Sequence, residues 1–152
     1  MPKATGGNIH IPPREKPTSD DGYFSVITKA VFQAGFSWKV VHDKWPGFEA
    51  AFDGFSVARV ADYDERDIER LTADAGIIRN GRKIEGTLHN ARVMRDLSAQ
   101  HGSFHSYLRS LDGLPYPERS NTLAKQFKWL GKTGTYFFLW SVAEDVPDWE
   151  ER

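Results

Sequence analysis

Cysteine is absent from all 152 residues. That excludes disulfides and every cysteine-ligated zinc or iron–sulfur site, and a cytoplasmic protein is expected. No apolar run approaches the 18 residues of a membrane-spanning helix, and no basic stretch leads into an apolar one as in a secretion signal. Alternating strand patterns of any length are also missing, which leaves an all-α class as the expectation. The chain holds no internal repeat and no low-complexity tract. It has no glycine-rich nucleotide loop either: Gly131-Lys132-Thr133 lacks the preceding strand and the earlier glycine that such a loop needs. A net charge of −1 does not by itself advertise a nucleic-acid partner.

What is present is aromatic and unevenly charged. Hydrophobic residues make up 39% of the chain and aromatic residues 13%, enough for one packed core and too much for a disordered chain. From Arg79 to Lys132 there are ten Lys/Arg against four Asp/Glu, whereas Ala61 to Ile78 carries six acids against two bases. The basic stretch suits a phosphate backbone, and solvated surface explains it equally well.

Residues 1–18, with Gly6-Gly7, Pro12-Pro13 and Pro17, read as a mobile arm, and 19–152 as one helical domain. Ser19 or Asp20 caps a helix starting near Gly22 and ending at Gly35. A second runs from about Trp38 to Phe52, interrupted by Pro46. An acidic helix follows Tyr63. A small hairpin over Gly76–Ile84 leads into a long helix near Arg82 to Gln100, with Ile84, Leu88, Ala91 and Met94 inward. Gly102-Ser103 closes it and caps the next, with Phe104, Tyr107 and Leu108 inward, and Ser120 is placed to cap the helix leading into the stretch from Lys125. His101 and His105 stand four apart, a spacing that can hold a metal on one helix face, but no third ligand lies near and no metal is expected.

The stretch from Lys125 to Trp140 concentrates these signals. A helical pattern stops at Leu130-Gly131, where glycine can take a positive φ, and an apolar segment restarts with Thr133 or Thr135 as N-cap. Helix, tight turn and helix at about 120–144 would aim free backbone N–H groups at a phosphate. Lys125, Lys128 and Lys132 place cations beside it. An ordinary αα-hairpin is the competing reading.

The runs Gln33-Ala-Gly-Phe36-Ser-Trp38, Asp74-Ala-Gly-Ile-Ile-Arg79-Asn, Lys83-Ile84, Asn90-Ala91-Arg92, Gly102-Ser-Phe104 and Phe127-Lys128-Trp-Leu-Gly131 stand in one order along the chain. With Thr133 and Tyr136 they resemble the DNA-3-methyladenine glycosylase I family, a branch of the helix-hairpin-helix DNA glycosylases. The resemblance implies a helical enzyme that flips a damaged adenine out of double-stranded DNA and hydrolyses its bond to deoxyribose, without a cofactor and as a monomer. It implies phosphate contacts from Lys125, Lys128, Gly131, Lys132, Thr133 and Gly134, with Arg79, Arg82 and Lys83 adding others. It implies a wedge at Gly35-Phe36 and a base pocket walled by Trp38, with Gln33, Ser37, Tyr23 or Tyr136 as polar contacts.

Three departures qualify the resemblance. The family's N-terminal tyrosine–histidine–acid–tryptophan motif has no counterpart, the two cysteines of its terminal zinc are missing, and its pocket glutamate is Ala30 here. Lesion identity is therefore open, and a catalytically silent DNA-binding module is the alternative. Wider relatives keep an aspartate beyond the hairpin, which makes Asp148 a candidate catalytic residue, with a solvated acidic tail as the competing reading. The lysine of bifunctional lyases falls at Thr133, one residue past Lys132, so a monofunctional enzyme is expected.

Overall fold

Ser19 starts the first helix, its hydroxyl accepting the Gly22 N–H at 3.1 Å. The computed structural model describes residues 14–152. It runs α1 (Asp20–Gln33), α2 (Trp38–Ala51), α3 (Val57–Ala61), α4 (Glu65–Thr72), α5 (Gly81–His101), α6 (Phe104–Arg109), α7 (Tyr116–Gln126) and α8 (Lys132–Ser141). Short 3-10 turns stand at Asp53–Phe55 and Trp149–Glu151, and among the described residues there is no strand. The all-α class holds. No helix among them is long and apolar enough to cross a membrane.

Helix α1 is the hub, because its two opening carboxylates organise other helices. Asp20 accepts the Phe104 N–H at 2.9 Å and so caps the start of α6. Asp21 does the same for α3 through Val57 N–H, also at 2.9 Å. The opening amides of a helix lack intrahelical partners, so each carboxylate satisfies a donor and meets the positive end of a dipole. Further along α1, Phe24, Ile27, Val31 and Phe32 are fully buried. Ile84, Leu88, Ala91 and Met94 of α5 are buried as their spacing predicts. Phe48 of α2 and Phe52 at its C-cap join Phe55 and Trp45 in a ladder of near-parallel rings, with Trp45 and Phe55 5.0 Å apart at 12°.

Several boundaries differ from expectation. Helix α2 continues through Pro46 instead of breaking there. Helix α7 starts at Tyr116, four residues before Ser120, which is buried inside it. Pro117 sits in its first turn, where a missing N–H costs nothing and the preset φ is already helical. The segment before α5 is a turn-rich loop with no strand pairing, and Asn80 caps α5 by accepting the Lys83 N–H at 3.1 Å.

Of the expected arm, residues 1–13 lie outside the described residues. Residues 14–18, expected to be mobile with them, are held along the C-terminal end of α8. Glu15 N–H donates to Ser141 O at 2.9 Å. The Arg14 guanidinium donates to Glu144 O at 2.8 Å and lies over the Trp140 ring at 5.4 Å.

Candidate base pocket and nucleic-acid interface

A cavity of about 360 Å³ opens between α1, α2, α8 and the segment 15–19. That volume falls within the range of small-molecule sites, about 300–1,000 Å³. Ala30 and Gln33 line it one turn apart on α1, Phe137, Phe138 and Ser141 come from α8, and Trp45 from α2. Lys29, Lys16 and Glu15 bring its ionisable groups. The Lys29 ammonium lies 5.2 Å over the Trp45 ring, and burial pulls its pKa below the ordinary lysine value, with Glu49 pushing the other way. Gln33 is 6% exposed, and its side-chain Nε2 is buried without a hydrogen-bond partner.

The chain leaves the cavity through the expected wedge. Gly35 takes φ +84°, a left-handed turn open to glycine without strain, and a Cβ there would meet nothing within 4 Å. The turn throws Phe36 outward, 36% exposed, directly after the cavity-lining Gln33. Trp38, half-buried, does not line the cavity itself; its ring meets Phe137 edge-on at 4.7 Å, and Phe137 is the cavity wall.

The other expected pocket residues lie elsewhere. Ser37 is the exposed N-cap of α2. Tyr23 is buried on another side of α1, against Phe104, with its hydroxyl 3.2 Å from His105 Nδ1. Tyr23 stands about 80° around the α1 axis from Gln33 and is taken up by α6. Tyr136 is buried and donates to Pro147 O at 2.8 Å. Asp148 is exposed and lines no part of the cavity. His101 and His105 fall on successive helices separated by Gly102 at φ +91°, so they share no helix face.

The hairpin closes differently from its sequence reading. Gly131 has φ −84°, and the left-handed residue is Trp129 at φ +62°. Thr133 and Thr135 lie inside α8, whose N-cap position is Gly131, without a side-chain cap. The start of α8 therefore presents backbone N–H groups around exposed Gly131, Lys132 and Thr133, with half-buried Gly134 behind them. Helix α5 fixes this turn. Asn90 donates to Lys128 O at 3.1 Å and accepts the Lys128 N–H at 2.8 Å, a side-chain copy of a backbone pairing. The Trp129 indole donates to Arg82 O at 3.1 Å and lies over Gly86, where a Cβ would come 2.4 Å from Trp129 Cδ1. Gly86 is needed for that close approach.

Lys125, Lys128, Arg79 and Arg82 are exposed. Lys83 is not: it is 7% exposed and its ammonium donates to Val31 O at 2.8 Å and to Ala34 O, the last carbonyls of α1. A cation at a helix C-terminus satisfies orphan acceptors and the negative dipole end. The same ammonium lies 4.9 Å from the Phe36 ring centroid. Its helix position was legible, its partner was not, and a phosphate contact gives way to a clamp beneath the wedge. Trp129, Gly86 and Asn90 are residues to which single-sequence reasoning gives no site role; Asn90 and Trp129 stand in the matched runs, and Gly86 carries no signal.

Residues 15–133 match the model of the methyladenine glycosylase family. A curated relative, DNA-3-methyladenine glycosylase 1 of Escherichia coli (strain K12), is 30% identical, the match covering 80% of this chain and 75% of the relative. A crystal structure of 3-methyladenine DNA glycosylase I superposes with a TM-score of 0.74 at 30% identity, over 86% of this chain and 82% of the other. The Staphylococcus aureus 3-methyladenine DNA glycosylase I shares the fold with a TM-score of 0.75 at 24% identity, over 85% and 79% of the two chains. On a family match that spans the wedge, the cavity-lining turn of α1 and the hairpin, the chain belongs to the methyladenine glycosylase family.

Proposed function

We propose that this protein is a monofunctional DNA glycosylase of base-excision repair, hydrolysing the bond between deoxyribose and an alkylated purine, 3-methyladenine first. The carrying observation is the joining of an aromatic-walled cavity to an exposed aromatic one turn further along the chain: Gln33 lines the cavity and Phe36 projects from the next turn. A base rotated out of duplex DNA leaves a gap and needs a lining, and the two features supply one each. The amides at the start of α8, with Lys128 and Lys132, would take the phosphates and position the duplex without reading its sequence.

The chemistry asks little of the protein. An N3-alkylated adenine is cationic and already a good leaving group, so its glycosidic bond needs only a site that holds the departing base and admits water. Exposed Asp148 has no part in that step on this reading. Support for a monomer comes from how few large apolar side chains are exposed among the described residues, Phe36, Val40, Leu114 and Trp129, the first of them the proposed wedge. Work on DNA in the cytoplasm fits a chain without cysteine.

Release of 3-methyladenine from methylated duplex DNA, followed by chromatography, tests the reading. Release that depends on this protein supports it. Duplex binding without release would leave the silent DNA-binding module in its place.

A further inference from the structure

Gly35 has no side chain to choose its own conformation, so the direction of Phe36 is decided by whatever holds the two peptide planes beside it. Both are held. After the glycine, the Phe36 N–H donates to Gln33 O at 3.4 Å. Before it, the Ala34 carbonyl, which belongs to the Ala34–Gly35 peptide, accepts from the Lys83 ammonium. The same ammonium donates to Val31 O at 2.8 Å, so it is anchored on α1 one turn before the peptide it holds. Its charge lies 4.9 Å from the centroid of the Phe36 ring, close enough to attract the ring electrostatically. One buried lysine thus touches the helix end, the peptide entering the glycine and the aromatic that follows.

Helix α5 carries that lysine in its first turn, beside a second tie. Asn80 caps the helix by accepting the Lys83 N–H at 3.1 Å, and the neighbouring Arg82 O accepts the Trp129 indole N–H at 3.1 Å. Consecutive residues of one helix therefore hold the Gly35 turn and the turn that leads into α8. We propose that Lys83 is a positioning residue for DNA engagement. Without touching DNA, its ammonium sets the Gly35 turn so that Phe36 is presented, in a fixed relation to the start of α8, to the gap an extruded base leaves. The inference rests on the reading of Phe36 as the wedge. Ordering a loop on binding weakens affinity, and the ammonium removes that cost in advance.

A duplex with a tetrahydrofuran abasic site and 2-aminopurine opposite it reports gap filling, because the probe's fluorescence follows its stacking. The wild type should prefer this duplex to an intact one and change its fluorescence, and Phe36→Ala should lose both. Lys83→Met keeps most of the stem and removes the charge and the donors. It should reduce the preference for abasic duplex about fivefold or more and lose the fluorescence change. Affinity for intact duplex and its salt slope should hold, since the ammonium serves the carbonyls of α1 and the turn. The chain has no cysteine, so Lys83→Cys, alkylated while unfolded and then refolded, carries a single thiol at position 83. Bromoethylamine restores an ammonium at lysine length, and iodopropane leaves a neutral chain of the same shape. The aminoethyl form should regain the preference and the fluorescence change, and the propyl form neither. Melting curves on each form establish that it is folded. Lys83→Met with full preference and full signal overturns the inference and leaves the wedge standing on Phe36→Ala. Equal recovery by the two alkylated forms overturns it too. Failure of both neutral forms to fold makes the lysine part of the scaffold and has the same result. A wild type with no preference for abasic duplex, or a preference that Phe36→Ala leaves untouched, sinks the wedge reading and the inference with it.

Discussion

Phe36 and Trp129 are both exposed aromatics at turns between helices, at 36% and 45%, and both turns contain a left-handed residue. They are built for different purposes. Trp129 itself takes the positive φ, a conformation costing a non-glycine residue roughly 1–2 kcal/mol. The indole hydrogen bond to Arg82 O, the bed over Gly86 and the Asn90 clamp on Lys128 hold it there. At Phe36 the strain-free Gly35 makes the turn, and the Phe36 ring has the Lys83 ammonium beside it at 4.9 Å. Exposure alone thus fails to mark a residue that enters DNA. The pinned aromatic shapes the turn that leads into α8, and on the proposed function the other is available to fill a gap in DNA.

Breaking the pinned corner should give the largest effect. Asn90→Ala strands the N–H and C=O of Lys128 and should cost on the order of 2–6 kcal/mol of stability, from two orphaned groups at about 1–3 kcal/mol each. Chemical denaturation measures the loss. An Asn90→Ala protein as stable as the wild type would mean that the turn holds without α5.

The wedge should behave oppositely. Phe36→Ala is expected to change stability by less than about 0.5 kcal/mol, as an exposed substitution does, against the roughly 3–5 kcal/mol of a buried phenylalanine such as Phe24. Lesion-duplex affinity should nonetheless fall, because the unstacking cost of a few kcal/mol is no longer offset. Melting curves and binding titrations on the same variant separate the two. A Phe36→Ala protein that unfolds easily yet binds lesion DNA normally would reduce the contrast with Trp129 to nothing.

A smaller effect is expected from Lys132→Ala. It should weaken binding to damaged and undamaged duplex alike and flatten the salt dependence by about one unit of slope, as loss of one phosphate contact does. The Lys83→Ala variant should leave that slope alone, since its ammonium already serves the carbonyls of α1. Salt titrations on both distinguish a phosphate contact from a clamp.

The smallest effect is a pH dependence. Burial lowers the pKa of Lys83 and of Lys29 in the folded chain. Between those lowered values and the ordinary lysine value of about 10.5, the unfolded chain binds more protons than the folded one, so stability should rise with pH across that window. Removing Lys83 by Lys83→Met should reduce the rise and leave the share due to Lys29. Denaturation midpoints at increasing alkaline pH, kept below the tyrosine range, read it. A slope the same in both proteins would show that Lys83 titrates normally.

The sequence determined the helices, their inward faces and the turn at Gly35, because period and glycine placement act locally. It misplaced the cap and the left-handed residue of the turn before α8. Gly35 needed no context to be a turn, and Ile84, Leu88, Ala91 and Met94 needed none to be core. Tertiary structure alone decided which polar groups meet. Lys83 reads as a surface cation until the end of α1 is packed beside it, Tyr23 reads as a pocket residue until α6 covers it, and the positive φ at Trp129 exists because Gly86, forty-three positions earlier in the chain, leaves room for the indole. The unpartnered amide of Gln33 is of the same kind: its residue type was visible from the start, and its lack of a partner follows only from what the other helices place, or fail to place, within its reach.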